Sequence, residues 1–284
     1  MFKKRNSIGI TLIELMLALA LSILIIGGIF EIYLIAENNR LIQTTVITMQ
    51  EDAQMITQLF KGQIHAAAYM GCAKLTNDFP FKNNLPFKIS QKNKIERYQD
   101  TDVKEGTDAI RIWHSSMQSA ILNKTMQNHL NLYVTSNIPI LVDDNLIISD
   151  CKTAESFRVK KIFTLENGMQ KIITNVPLKK LYEKNAEINI LEINSYFVSN
   201  TGRVDEHNQP IYALHIKDIL GETTELAEGV DRMKVFFTRV ENNKLVEYPA
   251  SDIADASEIV GVSLAFELAA AGLKKNWNLY VALL

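Results

Sequence analysis

The sequence predicts an α+β fold: a long N-terminal α-helix, hydrophobic in its first half, packed on a C-terminal domain of antiparallel β-sheet. Three observations carry that expectation. An apolar run, Ile10 to Phe30, stands near the start with a single charge, Glu14. Helical periodicity continues past that run, and no proline interrupts it before Pro80. Beyond residue 108 the chain turns to short β-branched and aromatic runs punctuated by Asn and Gly.

Composition bounds the rest. The chain has 284 residues, with 30 Lys+Arg against 32 Asp+Glu and a formal charge of −2. Apolar residues make up 47% and charged residues 22%, the balance of an ordinary globular protein. A wholly disordered chain and a basic nucleic-acid binder are both excluded. One long apolar run excludes a multi-span membrane protein.

Residues 1–9 read MFKKRNSIG, three cations and no acid. The apolar run that follows is about 31 Å long as a helix at 1.5 Å per residue, enough to cross a bilayer core. The basic flank places the start in the cytoplasm and the remainder outside. A secretory signal has a shorter apolar stretch and a small-residue cleavage site behind it, and Glu31-Ile-Tyr-Leu-Ile-Ala-Glu37 offers none. A plain anchor fits the length but leaves Glu14 unexplained, because an ionisable group in the apolar layer costs roughly 2.5–3.5 kcal/mol on insertion scales. The bland reading of Glu14 is a polar residue tolerated near the interface.

Gly9-Ile10-Thr11-Leu12-Ile13-Glu14-Leu15-Met16 resembles the processing site of type IV prepilins. The resemblance implies cleavage by a prepilin peptidase between Gly9 and Ile10, N-methylation of Ile10, and Glu14 as the fifth mature residue. Ile10 departs from the usual Phe. A carboxylate in a low-dielectric layer needs a cation, and the resemblance offers one: the freed amine of a neighbouring subunit, with Glu14 setting the axial stagger of adjacent helices.

From Ile35 the apolar positions Ile42, Val46, Met49, Ala53, Ile56, Phe60, Ile64 and Ala67 follow at steps of three, four and seven. The spacing predicts one continuous helix from Ile10 to about Tyr69, stopped at Gly71. The domain plan is therefore a leader over 1–9, a membrane or filament-core half over 10–30, an amphipathic half over 31–70, and a mainly-β domain over 71–284.

Strands are expected at Ala109–His114, Asn145–Ser149, Phe157–Phe163, Lys171–Thr174, Ser195–Val198, Ile211–Ile216, Met233–Val240, Ile259–Phe266 and Trp277–Val281, in one or two sheet regions. Turns are expected at Glu166–Gly168, Asn200–Gly202 and Glu241–Asn243. Ser115 to Leu132 is ambiguous between strand and a short helix, and residues 76–107, rich in Asn, Lys and Gln, read as an exposed loop.

Cys72 and Cys151 both fall outside the membrane on this topology, where an oxidising compartment makes a disulfide the default over free thiols. Zinc is disfavoured, since neither has a C-x₂-C or paired-His neighbour. The five histidines, at 65, 114, 129, 207 and 215, show no metal or catalytic spacing. Gly261-Val-Ser-Leu-Ala265 lacks the second glycine of a nucleophile elbow, and no phosphate-binding loop occurs. Asp100, Asp102, Glu105, Asp205 and Glu206 lack the spacing of a calcium loop. Lys82, Lys88, Lys92 and Lys94 read as a soluble loop, with contact to DNA or an acidic surface as the sharper alternative. No enzyme, cofactor or metal is expected.

Met49-Gln-Glu-Asp-Ala53, Ala68-Tyr-Met-Gly-Cys72, Gly106-Thr-Asp-Ala-Ile110, Ser149-Asp-Cys151 with Phe157, and Leu226–Met233 are similar to segments of PilW-type minor pilins. Residues 176–210 carry no such likeness. The resemblance implies a structural subunit that primes assembly of a type IV pilus and is incorporated at its tip. It implies other minor pilins, the major pilin and a large tip adhesin as partners. Before assembly the protein would lie in the inner membrane of a Gram-negative bacterium, its C-terminal domain in the periplasm; afterwards it would lie in the extracellular pilus. Pilus-dependent adhesion, twitching motility and DNA uptake would follow. A pseudopilin of a type II secretion system and a single-span periplasm-facing binding module are the rival readings.

Overall fold

The computed structural model describes residues 12–67, 69–72, 79–87, 89, 94–165, 168–206, 208–252 and 259–283. The layout is α+β: one long helix with an apolar first half, then a large antiparallel β domain. Helix α1 spans Leu12–Ala66. It ends about one turn earlier than the spacing predicts, so Gly71 is not its stop. The chain divides into two compact units, 1–51 and 52–284, so the division falls inside α1.

In the second unit the last part of α1 buries one face. Ala53, Ile56, Phe60 and Ile64 recur at steps of three and four and are essentially inaccessible. The Phe60 ring lies 5.0 Å from that of Tyr196 and 5.7 Å from that of Phe266. Trp277 Nε1 donates to Thr57 Oγ1 at 2.9 Å.

Among the described residues fourteen strands follow. They are β1 (Phe81–Asn83), β2 (Ile95–Tyr98), β3 (Ala109–Leu122), β4 (Asn131–Thr135), β5 (Asn145–Ser149), β6 (Ala154–Thr164), β7 (Gln170–Thr174), β8 (Glu187–Val204), β9 (Pro210–Lys217), β10 (Thr223–Glu228), β11 (Val230–Glu241), β12 (Lys244–Pro249), β13 (Ile259–Ala270) and β14 (Leu273–Ala282). Two sheets result. The smaller runs β12-β11-β13-β14. The larger has ten strands, all antiparallel except for β1, which pairs parallel with β6.

Pairing in the larger sheet closes on itself. β3, β4, β7, β6, β5 and β8 form a ring in which each strand bonds the next and β8 returns to β3. The ring encloses a core drawn from all six strands: Ala120 and Leu122, Leu132 and Val134, Leu146 and Ile148, Phe157 and Val159, Ile172, and Ile188. Strand alternation explains which side chains enter. Leu146 and Ile148 point into the ring, whereas Ile147 joins a separate cluster with Met70, Trp113 and Leu191.

β3 and β8 are long because each serves two layers. Their lower halves belong to the ring; their upper halves pair with each other and with β2 and β9 in an open sheet. A bulge between Ser115 and Ser119 separates the halves. Ser116 fills the gap in the ladder: its Oγ accepts from Ile190 N at 3.1 Å, and its carbonyl accepts from Asn189 Nδ2 at 2.9 Å.

Several expectations are corrected here. Residues 76–107 are not a plain exposed loop, since β1 and β2 lie in it and Leu85, Ile89 and Ile95 are buried. Among the described residues no helix interrupts 115–132; β3 runs on to Leu122 and β4 opens at Asn131. Asn200–Gly202 is not a turn between strands but an irregularity within β8. At Asn242 and Asn243, φ is +52° and +62°, the left-handed pair that a tight hairpin between β11 and β12 requires.

Candidate functional site

The predicted site residues fall into two places. At the start of α1, Gly9 and Ile10 lie outside the described residues. Glu14 is the one acid in the first turn of α1, where the helix dipole favours negative charge. Around it the apolar side chains face outward: Leu12, Ile13, Leu17, Ile23 and Leu24 are all exposed. This helix is long and apolar enough to cross a membrane, and the window that qualifies it has none of its surface buried by the rest of the chain.

The second place is the exit from α1. Cys72 and Cys151 are joined in a disulfide with Cα atoms 5.1 Å apart. Both are exposed, so the bridge fills no core space. It ties the segment after α1 to the turn between β5 and β6. Asp150 Oδ1 shapes that turn by accepting from Thr153 N at 2.9 Å and Lys152 N at 3.2 Å. Burial raises the Asp150 pKa, but the ammonium of Lys180 and those amides outweigh it, and the carboxyl sits below its usual range.

The backbone between helix and bridge is held tightly. Ser115 N donates to Tyr69 O at 2.8 Å, and Gly71 N donates to Ser115 Oγ at 3.1 Å. Gly71 has φ +77°, and a Cβ there would meet Glu187 Oε2 at 2.8 Å and Asn189 Oδ1 at 2.9 Å. Glycine at 71 therefore serves close approach to β8 rather than helix termination. His114, which the sequence left as a packing or surface group, is buried. Its Nε2 stands 2.9 Å from Gln63 Oε1 on α1 and its Nδ1 stands 3.0 Å from Ser115 O.

One buried charge had no sequence signal. Glu155 in β6 is 3% exposed and accepts from Lys179 N at 2.8 Å and Lys180 N at 2.9 Å. Asn84 Nδ2 and Tyr182 OH approach the same carboxylate at 3.3 and 3.5 Å. These donors stand in for water around the ion. They fasten the 178–182 segment across the ring; burial, with the neighbouring carboxylates, pushes the Tyr182 hydroxyl far above its ordinary pKa.

Several of the remaining charges are paired. Asp100 accepts from Lys217 Nζ at 2.7 Å and from Tyr98 OH, and Lys217 also lies 3.6 Å from Asp102. Lys104 Nζ donates to Asp231 at 2.5 Å and sits 3.4 Å above the Tyr212 ring. Glu105 is exposed, and of the loop lysines, Lys88 and Lys92 lie outside the described residues, as does His207. Among the described residues no group of three or more His, Cys, Asp or Glu side chains is placed to hold a metal ion. Comparison with family models, with curated proteins and with solved structures finds no match for this chain.

Proposed function

We propose that this chain is a structural minor subunit of a type IV pilus, of the PilW type, that helps prime assembly and takes a place at the filament tip. The observation that carries the reading is the spacing Gly9 to Glu14 at the junction of a basic segment and an apolar helix. On this reading a prepilin peptidase cuts after Gly9 and Ile10 is N-methylated. Residues 10–30 hold the subunit in the inner membrane until it enters a filament, with the β domain in the periplasm.

Two features support it. The first half of α1 displays apolar side chains on all sides, as a segment does when its solvent is lipid or other helices rather than its own domain. Glu14 lies in that stretch, four residues after the proposed new terminus in sequence, at the spacing that the prepilin resemblance associates with pairing to a neighbouring subunit. Other minor pilins, the major pilin and a tip adhesin are the partners this implies.

Intact mass of the protein purified from its own host tests the reading. The expected species begins at Ile10, carries one added methyl group and has lost two hydrogens to the disulfide. A species beginning at Met1 overturns it and leaves a plain single-span protein. A deletion strain should lose twitching; loss of secreted enzymes with twitching intact would instead assign the chain to a type II secretion system.

A further inference from the structure

The outer surface of the ring carries a basic face with aromatic rings set into it. Leu132, Val134, Ile172 and Val159 point into the core, and Ile162 packs against it. Strand alternation therefore turns Tyr133, Lys171, Lys161 and Phe163 outward. Tyr133 pairs with Lys171 and Lys171 with Phe163, so these three stand side by side in one row across β4, β7 and β6. The two rings are two strand widths apart, about 10 Å, with the lysine between them. Lys161 stands in the next outward row, opposite Ile173.

These three strands hold four cations, Arg158, Lys160, Lys161 and Lys171, and one acid, Glu155, which is buried. A total charge of −2 excludes a chain that is basic throughout, but it leaves room for a local basic face. Arg158 pairs with Asp143 and Lys180 with Asp150, but among the described residues no ion pair reaches Lys124, Lys161 or Lys171. Lys124 Nζ and Lys171 Nζ instead lie 5.7 and 5.8 Å from the centre of the Tyr133 ring. Phe163 is 48% exposed, an apolar ring left in water among cations.

We infer that this face binds single-stranded nucleic acid without regard to sequence, with the lysines on phosphates and the Tyr133 and Phe163 rings stacked on bases. Unpaired cations call for a polyanion, and the rings select which one. Every base offers a flat π-face to an exposed aromatic ring. A duplex keeps its bases stacked inside, and a surface three strands broad does not enter its grooves. An acidic polysaccharide brings hydroxyls that need acceptors, and among the described residues no carboxylate lies in this row to accept from them. A lipid surface calls for a contiguous apolar face, and here an ammonium separates the two rings. That ammonium stands where the phosphate linking two splayed bases would lie.

The inference does not depend on the proposed function and is tested on the full chain in neutral detergent. Fluorescence anisotropy of a labelled oligodeoxythymidylate should show saturable binding. With three phosphates neutralised, log K should fall against log[salt] with a slope of about −2, and Lys171→Ala should flatten that slope by about 0.7. Phe163→Ala and Tyr133→Ala should each weaken binding about fivefold or more at fixed salt, while Phe163→Trp retains it, because each ring carries one base. Lys275→Ala, on the smaller sheet, should change neither affinity nor slope. Because these side chains face outward, every variant should keep the wild-type thermal unfolding. Absence of binding, affinity for a duplex of the same length that equals or exceeds that for the single strand, or affinity indifferent to both ring substitutions overturns the inference. So does displacement of the oligonucleotide by heparin or by phosphatidylglycerol vesicles at a lower concentration of charge than by unlabelled strand.

Discussion

Between Leu12 and Ile35 every leucine and isoleucine of α1 is at least 52% exposed, whereas Ala53, Ile56, Phe60 and Ile64 of the same helix are at most 1% exposed. Both stretches are helical and rich in the same residue types. The difference lies in what the chain supplies around them. Aromatic rings from β8 and β13 pack on the later stretch, whereas among the described residues the apolar window of the earlier stretch has no buried residue. Apolar content states that a segment must leave water, and only the surrounding surface states whether its own protein or another phase receives it.

Six substitutions break or sharpen that contrast. The largest effect belongs to Glu14→Leu, which removes the one charge from the apolar run 10–30. Insertion into membranes should persist, while the amount recovered in sheared filaments falls at least tenfold by immunoblot; equal recovery would remove the pairing role of Glu14. Phe60→Ala should destabilise the globular unit by about 3–5 kcal/mol in denaturant titrations. Leu19→Ala, in the exposed stretch, should change that stability by less than about 0.5 kcal/mol. If the two variants matched, the difference in surroundings would carry no energetic meaning.

Next comes Cys72→Ser. Its loss should cost about 2–5 kcal/mol, and the 79-residue separation of the two cysteines puts the chain-entropy value near 4.5 kcal/mol. Because the bridge is exposed, the cost arises from the enlarged unfolded ensemble rather than from a cavity. Cys151→Ser should therefore match it in thermal unfolding.

The smallest effect is electrostatic. Lys217 first, then Tyr98 and the Thr101 amide, hold the Asp100 carboxyl far below its usual range. Its ionised form thus favours the fold above the ordinary carboxylate pKa of about 4, and that contribution fades as pH falls from there towards the depressed value. Asp100→Asn should lower Tm slightly at pH 7, and the gap from wild type should close under strongly acidic conditions. A gap that widened on acidification would contradict the sign.

How much of this was legible follows from what is local. β5 and β7 fell within a residue of their expected bounds because Asn145–Ser149 and Lys171–Thr174 are short, β-branched and bounded by polar turns. The Glu241–Asn243 hairpin announced itself through two residues that tolerate positive φ. β10, reading Thr-Thr-Glu-Leu-Ala-Glu, has weak strand character and is set by its pairing with β9. β4 began at the end of an ambiguous stretch and ran three residues past it, where no strand was expected, and β12 alternates but is short and charged. The closed ring could not be read at all, since closure depends on β8 meeting β3 across more than 60 residues. Of the candidate site, the cysteines were visible as a pair, while the Glu155 cradle required donors from two segments distant in sequence, Asn84 and 179–182.

The covalent link between Cys72 and Cys151 gives the molecule a mechanical short cut. A pull along α1 reaches Met70 and Gly71 and then passes straight through sulfur to the β5–β6 corner. The 78 residues between the cysteines lie in parallel with that path and carry little of the load. The covalent path from Gly71 thereby leads to β5 and β6, two strands of the ring that pair with each other from Asn145↔Arg158 to Ser149↔Ala154.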